Sequence, residues 1–382
     1  MDALMLEDVA KFQVRQLPTP VPKENEVLIR IGAVGMCGTD LHIFHGLVNF
    51  NRDERGRPIP LRQHPQVLGH EFCGRVESVG QKVRKCKPGD RVVVDQVLNC
   101  WSQGRFPRCE YCETGDSHQC HFLQELGITG LPGGFADYIT VPETNVVALP
   151  PNVPFAKGAV IEPLGCILHA SDRVEKAQNR YTFEGRYRIR YVLIVGAGPA
   201  GLLFLQYLRN IKRFDGGVFV ADMRESKLAL ALKLGGTPLD VRKVDPVSEI
   251  ERRTRGERVH YLIEATGAGT VFDWISSVIR HQSTVLLYGA GHSGRDVGCL
   301  TPLQVSETNL VTCCGASGTL DADGTPTTYR RSMEYVRDGK VDTESLLTHR
   351  YTELSQLQGA FSEDFRREDF VKGIFVGKEA AS

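Results

Sequence analysis

The sequence predicts an α/β protein in which a β-rich first part precedes a doubly wound parallel sheet. Three observations carry this expectation. Short β-type runs such as EVLIRIGAVG and DRVVVDQV, separated by Gly and Pro, fill the early part of the chain. A buried apolar run, YVLIV, then opens a series of strand-like segments at wider spacing: VHYLIEATG (259–267), STVLLYGAG (283–291) and NLVTCCGASG (309–318). Helical stretches lie between most of them, the alternation that a parallel sheet covered on both faces requires. The change of class falls near residue 165, and 382 residues suit about two domains at roughly 150 residues each.

From the N-terminus, MDALMLEDVAKFQV has neither the basic start nor the continuous apolar run of a secretory signal, and eleven cysteines make an odd count. Both features point to a reducing, cytoplasmic compartment. Forty-six basic residues balance forty-six acidic ones, so no global field would hold the chain on nucleic acid or an anionic membrane. The segment YVLIVGAGPAGLLFLQYL (191–208) is interrupted by glycines, Pro199 and Gln206, which fits a strand followed by a helix better than a bilayer span.

Two clusters of metal-ligand residue types stand in the β-rich part. MCGTDLHIFHG offers Cys37, VLGHEFCGRV offers His70 and Glu71, and VIEPLGC embeds Glu162 in an apolar setting where an unpaired charge is costly. Sulfur, imidazole and carboxylate together suit zinc with an open position. Adjacent residues on regular backbone point different ways, so Glu71 is either an intermittent ligand or a supporting group. Downstream, CEYCETGDSHQC places Cys109, Cys112 and Cys120 within twelve residues, with Cys100 just before them. Four thiolates close a tetrahedron and leave no position for water, so this set predicts a structural zinc.

The third motif follows the YVLIV strand. GAGPAG supplies GxGxxG through Gly196, Gly198 and Gly201, with Pro199 and Ala200 between them. Such a turn lets backbone approach a pyrophosphate and lets helix pack on strand, with the helix N-terminus facing the phosphates. A second run, GGVFVAD, ends in Asp222 about 20 residues on, where a carboxylate accepts bonds from both ribose hydroxyls and repels a 2′-phosphate. This favours NAD over NADP. Arg224 either softens that preference or is a solvated helix start.

GHE at 69–71, GDRV at 89–92, GGFADY at 133–138, EPLG at 162–165 and GAGPAG at 196–201 occur in the order seen in the zinc-containing medium-chain dehydrogenases, and the chain resembles that family over nearly its whole length. CGTDLH together with EPLG looks most like the polyol and threonine dehydrogenase branch. The resemblance implies a GroES-like catalytic domain, 1–164 with 320–382, and a Rossmann domain, 165–319. It implies catalytic zinc on Cys37 and His70, with Glu71 exchanging with water and Glu162 as ligand or water-mediated partner; Cys166 competes for that last role. It further implies that Thr39 and His42 relay the alcohol proton while a hydride passes to NAD, and that the enzyme is a homo-dimer or homo-tetramer.

The expected substrate is a secondary alcohol on a polyol, sugar or cyclitol, including amino or phosphorylated forms. A threonine-type amino alcohol dehydrogenase and a catalytically silent NAD-binding regulatory protein are the alternatives. Three departures from the family pattern stand out. WSQGRFPR separates Cys100 from Cys109, where two residues are usual. FNRDERGRPIPLRQH carries Arg52, Arg55, Arg57 and Arg62, which either hold an anionic substrate group or form a solvated loop beside Asp53 and Glu54. NRYTFEGRYRIR, before the first strand of the parallel sheet, reads as a surface extension. Cys73, Cys86, Cys299, Cys313 and Cys314 read as buried packing.

Overall fold

The computed structural model describes residues 1–316 and 318–378. The chain forms two compact units. One comprises Met1–Cys166, Gly315–Gly339 and the described residues from Thr343 onward; the other comprises Ile167–Cys314 and Lys340–Asp342.

The first unit is built on a seven-stranded sheet. Its path runs Val146–Ala148, Arg91–Val94, Glu71–Val79, Glu26–Gly35, Gly373–Val376 and His349–Tyr351, and Tyr138–Pro142 also pairs with Glu26–Gly35. EVLIRIGAVG forms the central strand. Eight of its ten residues are buried, which explains why it reads as a continuous apolar run rather than an alternating one. Gly74 lets the neighbouring strand come close, since a Cβ there would lie 2.1 Å from the Arg30 carbonyl oxygen. A three-stranded sheet of Lys11–Gln16, Asp2–Asp8 and Gln66–Val67 accompanies it. Phe12 stacks on Phe44 at 4.9 Å and meets Phe361 edge-on at 5.2 Å, and such pairs add about 0.5–1.5 kcal/mol each beyond burial.

Register in the central sheet positions the chemistry. Gly35, at the end of the central strand, lies opposite both Glu71 and Ile374, so three strand ends meet at one place. Cys37 and Lys372 stand two residues from those pairings. A Cβ on Gly35 would lie 2.0 Å from Glu71 Oε2, so glycine at this position leaves the room that the Glu71 carboxylate occupies.

The second unit is a six-stranded parallel sheet in the order Thr237–Asp240, Gly217–Asp222, Tyr191–Val195, Val259–Glu264, Ile279–Leu287 and Asn309–Thr312. This is the doubly wound order, with its switch between the first and fourth strands in sequence. The strands predicted at 259–267 and 309–318 end earlier, because their glycine-bearing tails turn away at the sheet's C-terminal edge; residue 317 of the second lies outside the described residues. The sequence 178–190 is a loop folded back on itself by an isolated parallel bridge between Thr182 and Arg188. It is more than a surface extension: Phe183 packs edge-on to Phe214 at 5.5 Å and Tyr181 edge-on to His260 at 4.9 Å.

Candidate active site

The segment after Gly35 turns at Cys37 into the helix Gly38–Phe44. Asp40, three residues on, accepts the Cys37 backbone N–H at 2.9 Å, closing the first turn. Its other oxygen accepts Nδ1–H of His70 at 3.1 Å and the Gly69 N–H at 3.2 Å. Carboxylate oxygens only accept, so Nδ1 carries a proton and Nε2 is the nitrogen that can give up its own to a metal. Burial by itself lowers the His70 pKa, yet Asp40 and Cys37 outweigh it and hold the ring well above its ordinary value.

One donor atom each from Cys37, His70 and Glu71 lies within 4.8 Å of the others. Lys372 Nζ stands 2.5 Å from Glu71 Oε2, and both side chains are almost fully buried. The ammonium donates to the Met36 carbonyl at 3.1 Å, while the same Glu71 oxygen has no aligned hydrogen-bond donor. A sulfur, an imidazole nitrogen and a buried carboxylate oxygen with spare acceptor capacity are a donor set that fits zinc.

Glu162 opens the helix Ile161–Lys176 and is not one of that closest trio. It accepts from Gln96 Nε2 at 3.0 Å and from Cys166 Sγ at 3.3 Å, and Gln96 in turn accepts from the Tyr329 hydroxyl at 3.0 Å. Burial pushes its carboxyl up to about 7; His70 and Lys372 pull the other way and Glu71 adds to the rise. Cys166 thus acts here as a donor to Glu162. Thr39 and His42 are half-buried on the helix after Cys37, and burial, followed by His45, lowers the His42 pKa.

Sequence reasoning missed Asp40, Gln96, Tyr329 and Lys372. Asp40 had a local signal, a carboxylate at capping distance from Cys37. Lys372 had none, because only the sheet register brings the C-terminal strand to Glu71.

The second cysteine set also converges. Cys100, Cys109, Cys112 and Cys120 each place a sulfur within 4.8 Å of the rest, and none is in a disulfide. Cys100 and Cys120 sulfurs are 3.7 Å apart, Cys109 and Cys120 3.8 Å. A tetrahedron with metal–sulfur bonds of about 2.3 Å has sulfur–sulfur edges of about 3.8 Å, so the spacing fits zinc. Backbone N–H groups of Cys109 and Phe122 point at the Cys100 and Cys120 sulfurs at 3.4 and 3.3 Å. Burial pushes Cys112 and Cys120 up, whereas for Cys109 it is outweighed by backbone N–H groups of His121 and Cys112, which bring that thiol down to about 6. The insertion WSQGRFPR folds beside the cluster, with Arg108 over the Trp101 ring and Arg105 over Phe122.

In the parallel-sheet unit Gly196 has φ of +102°, and a Cβ there would lie 2.8 Å from Thr266. A Cβ on Gly201 would lie 1.8 Å from the Gly196 carbonyl oxygen, whereas one on Gly198 would meet nothing within 4 Å. The turn is therefore tight on its inner side and open at Gly198, directly before the helix Pro199–Gln206, a cradle that fits a pyrophosphate. Asp222 ends its strand with one oxygen accepting from Ala197 N at 2.7 Å and the other from Met223 N and Arg224 N at 2.7 and 2.9 Å. Arg224 caps the following helix.

Three of the four loop arginines are engaged locally. Arg57 pairs with Asp53, Arg62 with Asp8, and Arg52 donates to the Gly56 carbonyl. Of the cysteines expected in the core, Cys73 is buried; Cys86, Cys299 and Cys313 are half-buried and Cys314 is exposed. Cys314 lies past the end of its strand, Asn309–Thr312.

Two family models match the chain. That of the alcohol dehydrogenase GroES-like domain covers residues 23–151, and that of the glucose dehydrogenase C-terminus covers 156–366, more than half of the chain. The chain belongs to the zinc-containing medium-chain dehydrogenases. The dehydrogenase is 29% identical to sorbitol dehydrogenase of Bacillus subtilis over 94% of this chain and 92% of that one. It is 28% identical to L-galactonate-5-dehydrogenase of Escherichia coli over 98% and 99%, and 30% identical to L-threonine 3-dehydrogenase of Symbiobacterium thermophilum over 72% and 71%. Among solved structures, galactitol-1-phosphate dehydrogenase from Escherichia coli superposes with a TM-score of 0.79 at 23% identity, covering 98% of this chain and 100% of that one, which supports the fold. The dehydrogenase thus pairs a GroES-like unit with a Rossmann unit. Among the described residues no helix is long and apolar enough to cross a membrane.

Proposed function

We propose that the chain transfers a hydride from a secondary alcohol of a polyol, sugar or cyclitol-type substrate to NAD. The observation that carries this reading is the convergence of Cys37, His70 and Glu71 donor atoms within 4.8 Å, in a chain whose relatives include several polyol dehydrogenases. Zinc held by Cys37 and His70, with Glu71 as the exchanging ligand and Glu162 as ligand or water-mediated partner, would supply a Lewis acid that makes an alcohol easier to deprotonate. Asp40 holds the His70 ring in the tautomer that leaves Nε2 free. Gln96 and Tyr329 hold Glu162 in place. Thr39 and His42 take the alcohol proton outward; the lowered His42 pKa keeps that ring neutral and able to accept near neutral pH. Cys100, Cys109, Cys112 and Cys120 hold a second, structural zinc. On the same reading residues 1–164 with 320–382 are the catalytic domain and 165–319 the nucleotide-binding domain; residues 379–382 lie outside the described residues.

NADH formation across sugar alcohols, cyclitols, threonine, simple alcohols and phosphorylated forms tests the proposal. Turnover of polyols or cyclitols is expected. Preference for threonine moves the enzyme to the amino alcohol alternative, and zinc and NAD binding with no alcohol turnover supports the silent regulatory protein.

Gly196, Gly198, Pro199, Ala200 and Gly201 cradle the pyrophosphate, and Asp222 receives the ribose hydroxyls. Because backbone N–H groups already orient both its oxygens, Asp222 presents a fixed negative charge where a 2′-phosphate would sit. Asp222→Asn is expected to shift the ratio of kcat/KM for NADP over NAD upward by about tenfold, since one like-charge repulsion of roughly 1–2 kcal/mol disappears. Steady-state kinetics with both cofactors checks this, and an unchanged ratio removes Asp222 as the discriminating residue.

A further inference from the structure

Besides Asp40, which holds His70, three carboxylates stand around the proposed catalytic cluster, and two of them are compensated. Glu71 has Lys372, and Glu162 has Gln96 and Cys166. The third is Glu125, for which neither the family motifs nor the mechanism above has a use. Its backbone pairs with Val97, and the next residue, Leu126, donates to the carbonyl of Gln96, the side chain that holds Glu162. On the other side Gly127 is pressed against Gly69, where an added Cβ would lie 2.6 Å from the carbonyl oxygen of the residue before His70. Residues 125–127 are therefore wedged between the backbones that carry Glu162 and His70.

The local backbone is fully used. Glu125 N donates to Thr129 Oγ1 at 2.8 Å, and the Glu125 carbonyl accepts from that same hydroxyl at 3.1 Å and from the N–H groups of Ile128 and Thr129. The side chain is not. Among the described residues it makes no hydrogen bond and no ion pair, and although the residue is half-buried its oxygens are not among the fully sealed polar atoms, so they keep some exposure. Burial pushes this carboxyl up and His70 pulls it back, in line with the contact between Gly127 and the backbone before His70. A half-buried carboxylate with no protein partner gains most from a cation that arrives with a ligand.

We propose that Glu125 is a specificity residue that pairs with a protonated amino group on the substrate, so that amino-substituted polyols or cyclitols are preferred over their neutral counterparts. This deepens the polyol reading and rests on it. The same carboxylate repels a phosphate, in keeping with the local engagement of Arg52, Arg57 and Arg62.

The test compares matched pairs, such as an amino-deoxy sugar alcohol with its parent and an amino-deoxy inositol with inositol, at a pH where the amine is protonated. Wild type is expected to favour the amine by about tenfold or more in kcat/KM. Glu125→Gln should abolish that ratio and Glu125→Asp should retain part of it. The ratio is internal to each protein, so a variant that folds poorly lowers both members and leaves it readable. Calorimetric binding of the same compounds is measured alongside turnover. Turnover of neutral polyols with no amine preference, or a preference that Glu125→Gln leaves intact, overturns the inference and leaves the polyol reading standing. Glu125-dependent amine binding without turnover supports the inference and sinks the polyol reading. Neither binding nor turnover of any member overturns both.

Discussion

Cys112→Ala is expected to release one of about two zinc ions per chain and to lower the thermal midpoint by about 10 °C or more, while Cys37→Ala releases the other zinc and reduces turnover at least about a thousandfold. The asymmetry follows from what else holds each site. Around the four cysteines, regular structure amounts to a five-residue helix, Glu110–Thr114, a three-residue turn of 3₁₀ helix, Ser117–Gln119, and the two-residue strands Val97–Leu98 and Gln124–Glu125. The buried cluster in this lobe is Cys100, Cys112 and Cys120, packed only by Cys109 and Leu123. The ligands are therefore themselves the buried centre of the lobe, and among the described residues the other apolar side chains between 98 and 124, such as Trp101, Phe106 and Phe122, stay exposed and offset little of its conformational entropy. Cys37, by contrast, sits at the end of a central strand with seven-stranded support, so its loss removes chemistry with little cost in fold. Metal analysis, thermal unfolding and protease cleavage between residues 98 and 124 check the pair together. Two zinc ions retained in Cys112→Ala, or a midpoint lowered equally by both variants, would contradict the assignment.

The legible and illegible parts of this molecule differ in sequence distance. GAGPAG sits next to its own strand and helix, so YVLIV, the tight turn and the helix starting at Pro199 could be read from one stretch. EVLIRIGAVG was legible as a strand with no motif at all, because a strand buried on both faces must be apolar at almost every position. The sulfurs of Cys109, Cys112 and Cys120 are close because a short helix and a turn bring them round locally. Whether Cys100 joins them depended on how WSQGRFPR folds, and there the packing of Arg105 and Arg108 on Phe122 and Trp101 decides; spacing carries no record of such contacts. Glu125 escaped notice for a similar reason. It is one acidic residue in an unremarkable loop, and its importance lies in having no partner, a property only three-dimensional neighbours can confer.

Lys372→Met is expected to destabilise the metal-free protein by about 3–5 kcal/mol, the range for removing one partner of a buried ion pair. The ammonium and Glu71 Oε2 are 2.5 Å apart with side chains 2% and 1% exposed, so water cannot replace the lost charge. Burial alone lowers the Lys372 pKa, yet Glu71 and Cys37 carry it above its ordinary value, which keeps the ammonium charged. The substitution also strips the Met36 carbonyl of its donor, and Met36 precedes Cys37. Adding Glu71→Gln to Lys372→Met should recover most of the loss, because removing both charges leaves nothing uncompensated, and the difference across the double-mutant cycle in urea unfolding gives the coupling directly. A single-variant cost below about 1 kcal/mol would mean that the pair is not closed in solution. Loaded with zinc, Lys372→Met should lose less than it does metal-free, since a dication bound at Cys37 and His70 compensates Glu71 in place of the ammonium. Lysine and metal thus draw on the same oxygen, and Glu71 can leave the one for the other without ever standing as an unpaired buried charge.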